Sequence, residues 1–475
     1  MKHIERIYIK ILNIIIKPVS GIQQKNLICT VLLHILAFLY LYYRFQVKLS
    51  PESFFVFDGG VFAVAIAILL LLIAMLSVKG TLEASSKYSI TGIIYMIFAV
   101  LIFVNGIIKP QALYASICLI IYVLILPFLY IAWNNREDID LLFRMIAAAF
   151  VNTGIVFYVV NFIFFPRGAQ ETSGAYMGAT GNPNTFGMIC LSIFVCAVYM
   201  YIVFRKLRLF YAIVAAYSFG MIIVCQARTS MIAGMMALTV SVIYYIRQGK
   251  IFEKKPIQRI LAIICLVIIV TIGIFITDKV SNITPPLAYA EENSESSIDA
   301  LKDKFEIRGG GGLNSMLSQR IELWQYYGEK ISFLGHSNKE YNIETAEDGV
   351  TLMPHNTLIS LGYFYGAPTM FAMLAVQILV MIYVLKSIII SKTCKQKYKR
   401  SVPAIWRDSS SFVILVAIAY CSAGIVEELD HISLFGMTGL FYMAISLVIS
   451  PNMDNNLKGG LHEIRTKTGR EKTEY

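Results

Sequence analysis

Residues 59–78 read GGVFAVAIAILLLLIAMLSV, twenty positions without one charged side chain. A helix of that length rises about 30 Å, the thickness of a hydrocarbon core. Inside lipid, only helices and closed barrels satisfy every backbone N–H and C=O, so the run is read as a membrane-spanning helix. Working outward, eleven more apolar stretches recur, at 27–43, 90–108, 112–132, 142–165, 184–204, 209–225, 230–246, 259–277, 367–390, 411–426 and 432–450. The expected fold is an all-α integral membrane protein of about twelve transmembrane helices.

Composition agrees. Of 475 residues, 57% are hydrophobic and only 15% charged, with a mean hydropathy of +0.66, whereas soluble domains run near 25% charged. The net charge of +11 does not mark a nucleic-acid partner, because the basic residues are divided among short loops between the apolar runs. With the N-terminus inside, 29 of the 41 Lys and Arg residues fall on inner segments, and 7 of the remaining 12 lie in one long outer loop. That asymmetry predicts both termini cytoplasmic and one large extracytoplasmic loop, 278–355, between the ninth and tenth spans.

This divides the chain into five parts. Residues 1–26 carry Ile4, Ile7, Ile11, Ile14 and Ile15 on one helical face and end at Pro18, as a cytoplasmic amphipathic helix on the inner leaflet would. Spans one to nine occupy 27–277, and the outer loop 278–355. A surface helix and spans ten to twelve occupy 356–450, and a cytoplasmic tail 451–475. None of the eight cysteines lies in the outer loop and none forms a CxxC, so neither a disulfide framework nor a zinc site is read.

The polar chemistry gathers on the outer side. Within the long loop, a short helix is expected from Ile298 to Arg308, then four glycines, Gly309 to Gly312, form a flexible joint. Leu313, Leu317, Ile321 and Trp324 then recur at helical spacing over 313–330, with Arg320 one turn before Trp324. The loop closes on Met353-Pro354-His355-Asn356. Gly362, Gly366 and Pro368 predict a break between a short surface helix at 356–365 and the tenth span. Gly181-Asn182-Pro183-Asn184 is a turn before the sixth span, and Gln226-Ala227-Arg228-Thr229-Ser230 joins the seventh to the eighth. The last outer loop is acidic, with Glu427, Glu428 and Asp430 beside His431.

In this order, these pieces resemble the bacterial O-antigen ligase and O-antigen (capsular polysaccharide) polymerase family of membrane glycan-assembly enzymes. The resemblance rests on Gly181-Asn182-Pro183-Asn184, Ala227-Arg228-Thr229-Ser230, Arg320 before Trp324-Gln325, Phe333-Leu334-Gly335-His336, and His355-Asn356 with Leu358 and Gly362. It implies an inverting, metal-independent glycosyltransferase of the cytoplasmic membrane, without cofactor, acting on a polyprenyl-diphosphate-linked oligosaccharide as donor. The acceptor would be the hydroxyl of another glycan, and a chain-length regulator and a flippase of the same pathway would be partners. Residue by residue, Arg228 and Arg320 match the arginines that hold the diphosphate, and His355 matches the loop histidine. Asn356, Asn184 and Glu427 complete the substrate-binding set. Thr229 departs from the commoner pattern of that turn.

The chemistry suits those residue types. Guanidinium is planar, permanently charged and forked to meet phosphate oxygens, so it can stabilise a departing diphosphate. Imidazole is the most frequent general base near neutral pH. Structural readings stand beside these: Arg228 as a snorkelling anchor, Arg320 as a solvated helix charge, His355 as the residue that starts a helix after Pro354. Asn182 and Asn184 would cap the sixth span, His336 would be structural, and the Glu427 cluster would orient an acceptor sugar, balance the arginines or simply face water. A ligase that moves a finished glycan to a lipid, wall or protein acceptor shares the donor chemistry. A lipid-linked glycan transporter is the reading of another class; it calls for an internal repeat and a polar path through the spans, which the sequence lacks. Asp138-Ile139-Asp140 has the form of a metal–nucleotide-sugar motif but sits in a short inner loop, and His34 lies alone in the first span.

Overall fold

The structure, a computed structural model, describes residues 2–19, 21–42, 47–50, 53–55, 59–78, 82, 89–109, 113–134, 138–165, 175–247, 320–337, 354–398, 404–429 and 436–449. Apart from a short antiparallel pair, β1 (Val47–Ser50) and β2 (Ser53–Phe55), these residues form helices and their connections. In chain order the α-helices are α1 (Lys2–Ile16), α2 (Lys25–Tyr42), α3 (Gly59–Ser77), α4 (Ile90–Ile108), α5 (Leu113–Ile120), α6 (Leu126–Asn134), α7 (Ile139–Phe164), α8 (Pro183–Val203), α9 (Arg208–Val224) and α10 (Arg228–Arg247). They continue as α11 (Arg320–Glu329), α12 (Thr357–Tyr365), α13 (Ala367–Tyr398), α14 (Ala404–Gly424), α15 (Gly436–Ala444) and α16 (Ser446–Ile449).

Eight described stretches are long and apolar enough to cross a membrane: α2, α3, α4, Ala115–Asn134, α7, α8, Arg205–Val224 and Ala367–Ile389. Apolar helices at Arg228–Tyr244, Ser409–Gly424 and Gly436–Ile449 are shorter. The expected ninth span, 259–277, lies outside the described residues, as do the four glycines and the expected helix from Ile298 to Arg308. At the centre stands α8, buried almost throughout from Phe186 to Met200 and packed by α7, α9, α10, α14 and α15.

Lipid tails are as apolar as leucine, so helices associate there through close packing and polar contacts rather than hydrophobic burial. His34 is one such contact. Its Nδ1 lies 2.8 Å from the Thr30 carbonyl, and Asn152 Nδ2 donates to its Nε2 at 3.2 Å, joining α2 to α7. With Nε2 accepting, the ring proton sits on Nδ1, and both nitrogens are engaged in structure rather than in a relay.

Pro127 explains an irregular stretch among the described spans. It has no N–H for the carbonyl one turn earlier, and its ring crowds that carbonyl. Between α5 and α6 the chain widens to an i→i+5 turn over Ile121–Ile125, with Leu126 N–H donating to the Ile121 carbonyl. Two carbonyls at this wide turn take side-chain donors: Tyr95 Oη donates to Tyr122 O at 3.0 Å, and Tyr8 Oη to Leu124 O at 2.6 Å. Through Tyr8, and through Asn13 against the Leu82 backbone, α1 is bound to the bundle. Ile9, Leu12 and Ile16 are buried, while Ile7, Ile11, Ile14 and Ile15 of the expected apolar face remain exposed.

The bundle has two distinct ends. At one, Lys25 Nζ reaches the Val78 carbonyl and Ser89 Oγ donates to the Ile449 carbonyl at 2.6 Å. At the other, the start of α10 meets the chain just past α14, and Asn105 near the end of α4 donates to the Tyr365 carbonyl at the end of α12. A Tyr95→Phe substitution leaves the buried Tyr122 carbonyl without that donor. It is expected to cost about 1 kcal/mol or more, read as a lower melting midpoint of the purified protein in detergent with helix content unchanged.

Candidate functional site

Glu427 is the centre of the second end. It follows α14, whose last turn is closed by the Val426 and Glu427 N–H groups donating to the Ala423 carbonyl at 3.0 and 2.9 Å. Arg320, the first residue of α11, donates through Nη2 to Glu427 Oε1 at 3.0 Å and through Nη1 to the Val426 carbonyl. His355 Nδ1 lies 3.6 Å from the other carboxylate oxygen, Oε2. Thr229, beside Arg228 in the first turn of α10, donates its hydroxyl to Glu427 Oε1 at 3.5 Å. The side chains of Arg320 and Glu427 are each 12% exposed, whereas His355 is 32% exposed and keeps a face open.

The loop that carries Glu427 is pinned from several sides. Thr357 Oγ1 donates to the Glu427 carbonyl and accepts from the Leu429 N–H, both at 2.9 Å. Tyr420 and Thr438 hydroxyls both donate to the Leu429 carbonyl at 3.1 Å. Asn356 Nδ2 donates to the Ile425 carbonyl at 2.8 Å, while its Oδ1 caps α12 by accepting from the Leu358 and Ile359 N–H groups. The next carboxylate, Glu428, accepts from Ser360 Oγ at 2.7 Å. His355 stands at this junction with φ +47°, a backbone conformation sparsely populated by non-glycine residues and held there by its surroundings.

A second loop clasps the far end of α12. The N–H of Gly335 donates to Ser332 Oγ at 2.9 Å, and the Ser332 carbonyl accepts from the Ala367 N–H that begins α13. The His336 N–H donates to the Tyr363 carbonyl at 2.8 Å, so this turn satisfies backbone groups that the helix ends leave open. His336 stacks on Tyr363 at 4.5 Å, and its Nε2 lies 2.8 Å from the Lys330 carbonyl, which accounts for it as a structural residue. Gly335, at φ +77°, and Gly366, at φ +86°, let the two backbones touch: a Cβ would lie 2.3 Å from the Phe364 oxygen and 2.1 Å from the Phe333 oxygen respectively.

The structure thus brings Arg320, His355, Asn356 and Glu427 together, with Arg228 one residue from the contact made by Thr229. Arg228 is half-buried. Asn184 is not drawn in: it is exposed in the first turn of α8, where its N–H donates to Asn182 Oδ1 at 2.9 Å. Sequence reasoning missed Thr357, Ser360 and the partnership of Thr229. Asp138 and Asp140 begin α7, a 26-residue helix, at the opposite end of the bundle. Among the described residues, no group of three His, Cys, Asp or Glu is placed to hold a metal ion.

No protein-family model, curated protein or solved structure matches this chain. Its class rests on its own residues: a helical protein with several spans capable of crossing a membrane, associated with a lipid bilayer.

Burial works to raise the Glu427 carboxyl, but the His355 contact and the Arg320 charge outweigh it and hold the group below its ordinary 4.5. A folded-state value below the unfolded one means that stability from this group is present above pH 4.5 and is lost as the pH falls further. The melting-midpoint gap between wild type and Glu427→Gln is therefore expected to be open at neutral pH and to close in acid. Removing Arg320 alone leaves a buried carboxylate short of its partner, and Arg320→Ala is expected to destabilise by about 3 kcal/mol. Gly335→Ala, with both a positive φ and a backbone clash to relieve, is expected to lower the yield of folded protein in the membrane fraction.

Proposed function

We propose that this protein is a membrane glycosyltransferase that polymerises polyprenyl-diphosphate-linked oligosaccharide repeat units into surface polysaccharide, capsule or O-antigen, at the outer face of the cytoplasmic membrane. It belongs, on this reading, with the O-antigen polymerase and ligase enzymes it resembles, has about twelve spans, and keeps both termini in the cytoplasm. The observation that carries the proposal is the buried carboxylate, Glu427, shared by Arg320 and His355 beside the start of α10. Polar chemistry concentrated at one end of an apolar bundle suits a substrate with a lipid tail and a sugar head.

In the proposed reaction an acceptor hydroxyl attacks the anomeric carbon of the donor sugar from the face opposite the diphosphate. A new C–O bond forms, and the bond from that carbon to the diphosphate oxygen breaks with its electron pair staying on the phosphate. The hydroxyl proton passes to His355 Nε2, the ring nitrogen turned away from Glu427. Arg228 and Arg320 oppose the negative charge that grows on the leaving diphosphate, and fixed charge aimed at developing charge is the largest usual catalytic contribution. A water-poor boundary strengthens that effect.

The test is complementation of a strain lacking this gene with wild type, His355→Ala, Arg228→Ala and Arg320→Ala at matched protein levels, reading long polymer on a gel and the pool of lipid-linked single repeats. Loss of the base is expected to slow transfer by about 10² to 10⁴, and loss of a charge-stabilising arginine by about 10² to 10³, so all three variants should lose long polymer while single repeats accumulate on the outer leaflet. Repeats trapped on the inner leaflet would point to transport instead. Polymer that forms normally but fails to reach its final acceptor would point to a ligase, and wild-type behaviour of all three would overturn the catalytic assignment.

A further inference from the structure

Glu427 has only two carboxylate oxygens, and they serve two functional side chains from different elements. Oε1 takes Arg320 at 3.0 Å and the Thr229 hydroxyl at 3.5 Å, while Oε2 faces His355 Nδ1 at 3.6 Å. Its backbone is held at the carbonyl by Thr357 and at the N–H by Ala423, so the carboxylate cannot follow either partner freely. Among the described residues, the charged and titratable groups around it are few. Arg320 comes from α11 and His355 from the turn before α12. From α10 comes the Thr229 hydroxyl, with Arg228 one residue earlier; Glu428, next along the chain, is bonded to Ser360.

We propose that Glu427 is a positioning residue that couples donor binding to the base: an anionic diphosphate arriving at Arg320 frees the carboxylate's charge to act on His355. The proposal rests on the glycosyl-transfer reading above. Guanidinium carries five N–H donors, two of its nitrogens already committed to Glu427 and Val426, so Arg320 can meet a phosphate without leaving the carboxylate. What changes is the field. A diphosphate neutralises Arg320, and Glu427 then favours the imidazolium that proton abstraction creates, as a carboxylate does when it orients a catalytic histidine. At 3.6 Å the Glu427 charge would favour a proton on Nδ1, which leaves the lone pair on Nε2. Base strength would thus rise only when a donor is seated, and an empty site would not waste protons on water.

The full-length protein in lipid nanodiscs, with polyprenyl diphosphate as the probe, tests this. The readouts are the pH midpoint of diethylpyrocarbonate modification at His355, located by mass spectrometry, and the pH–rate profile of transfer from a lipid-linked oligosaccharide. In wild type, the probe is expected to move the midpoint to higher pH. Glu427→Gln is expected to start at lower pH, to lose the response and to slow transfer by about 10². Arg320→Gln should show the opposite sign, a midpoint already high without probe and unresponsive to it. Glu427→Asp keeps the charge at a shorter reach, and should keep the response while transferring more slowly. Equal midpoints in wild type, Glu427→Gln and Arg320→Gln would overturn the coupling. A normal response in a protein that transfers no glycan would keep the coupling and sink the glycosyl-transfer reading.

Discussion

Every backbone N–H and C=O that enters lipid must find a partner within the protein. That constraint produces the long uninterrupted helices and also determines where they are allowed to fail. Where Pro127 breaks the pattern inside a span, the carbonyls of Tyr122 and Leu124 are answered by the hydroxyls of Tyr95 and Tyr8. Where the chain must turn sharply between α12 and α13, it does so at the bundle's end, and the loop 332–336 comes in to satisfy the helix termini. The polar residues of the candidate site are part of this same arrangement. Thr357, Asn356 and Arg320 each satisfy a backbone carbonyl of the segment after α14.

Those backbone contacts are what make the ion pair between Arg320 and Glu427 usable. A buried carboxylate with a single long side chain against it gains little net stability once desolvation is counted. On the proposed reading its value lies in fixed placement, since charges that are already oriented need no reorganisation when a reaction builds up charge beside them. Glu427 is fixed by its own backbone, Arg320 by the Val426 carbonyl as well as by the carboxylate, and His355 by a strained φ between Pro354 and the cap of α12.

The sequence made some of this legible and hid the rest for a physical reason. Helices are written locally, in runs of apolar residues, and α3, α4 and α8 fall within a residue or so of the expected 59–78, 90–108 and 184–204. The break at Gly366 and Pro368 was readable because glycine and proline punctuate the chain wherever they occur. The wide turn before Pro127 has no local signature beyond the proline itself, because what steadies it is Tyr95 from another helix and Tyr8 from the N-terminal one. Pairing across distance leaves no periodic trace: Arg320 and Glu427 are 107 residues apart, and Thr229 and Glu427 are 198 apart. Arginine, histidine and glutamate could each be singled out as chemistry-bearing, but which of them would share a carboxylate could not. In α1 the stripe of Ile7, Ile11 and Ile14 is turned outward, and Ile9, Leu12 and Ile16 pack inward.

Placement also weighs between an enzyme and a carrier. A carrier needs polar groups along the depth of the membrane, commonly where spans are broken near the midplane. Among the described residues, four deep polar groups are committed to structure: His34 is engaged at both ring nitrogens, Ser192 and Ser218 return to their own helix carbonyls, and Tyr158 donates to Ser218. The wide turn before Pro127 has two of its carbonyls answered by tyrosines. At the end of the bundle an arginine, a half-open histidine and a pinned carboxylate converge. On the proposed reading, a substrate that stays in the membrane by its tail and presents a charged head at the surface would meet them without crossing anything, and chemistry at the boundary asks for no path through the interior.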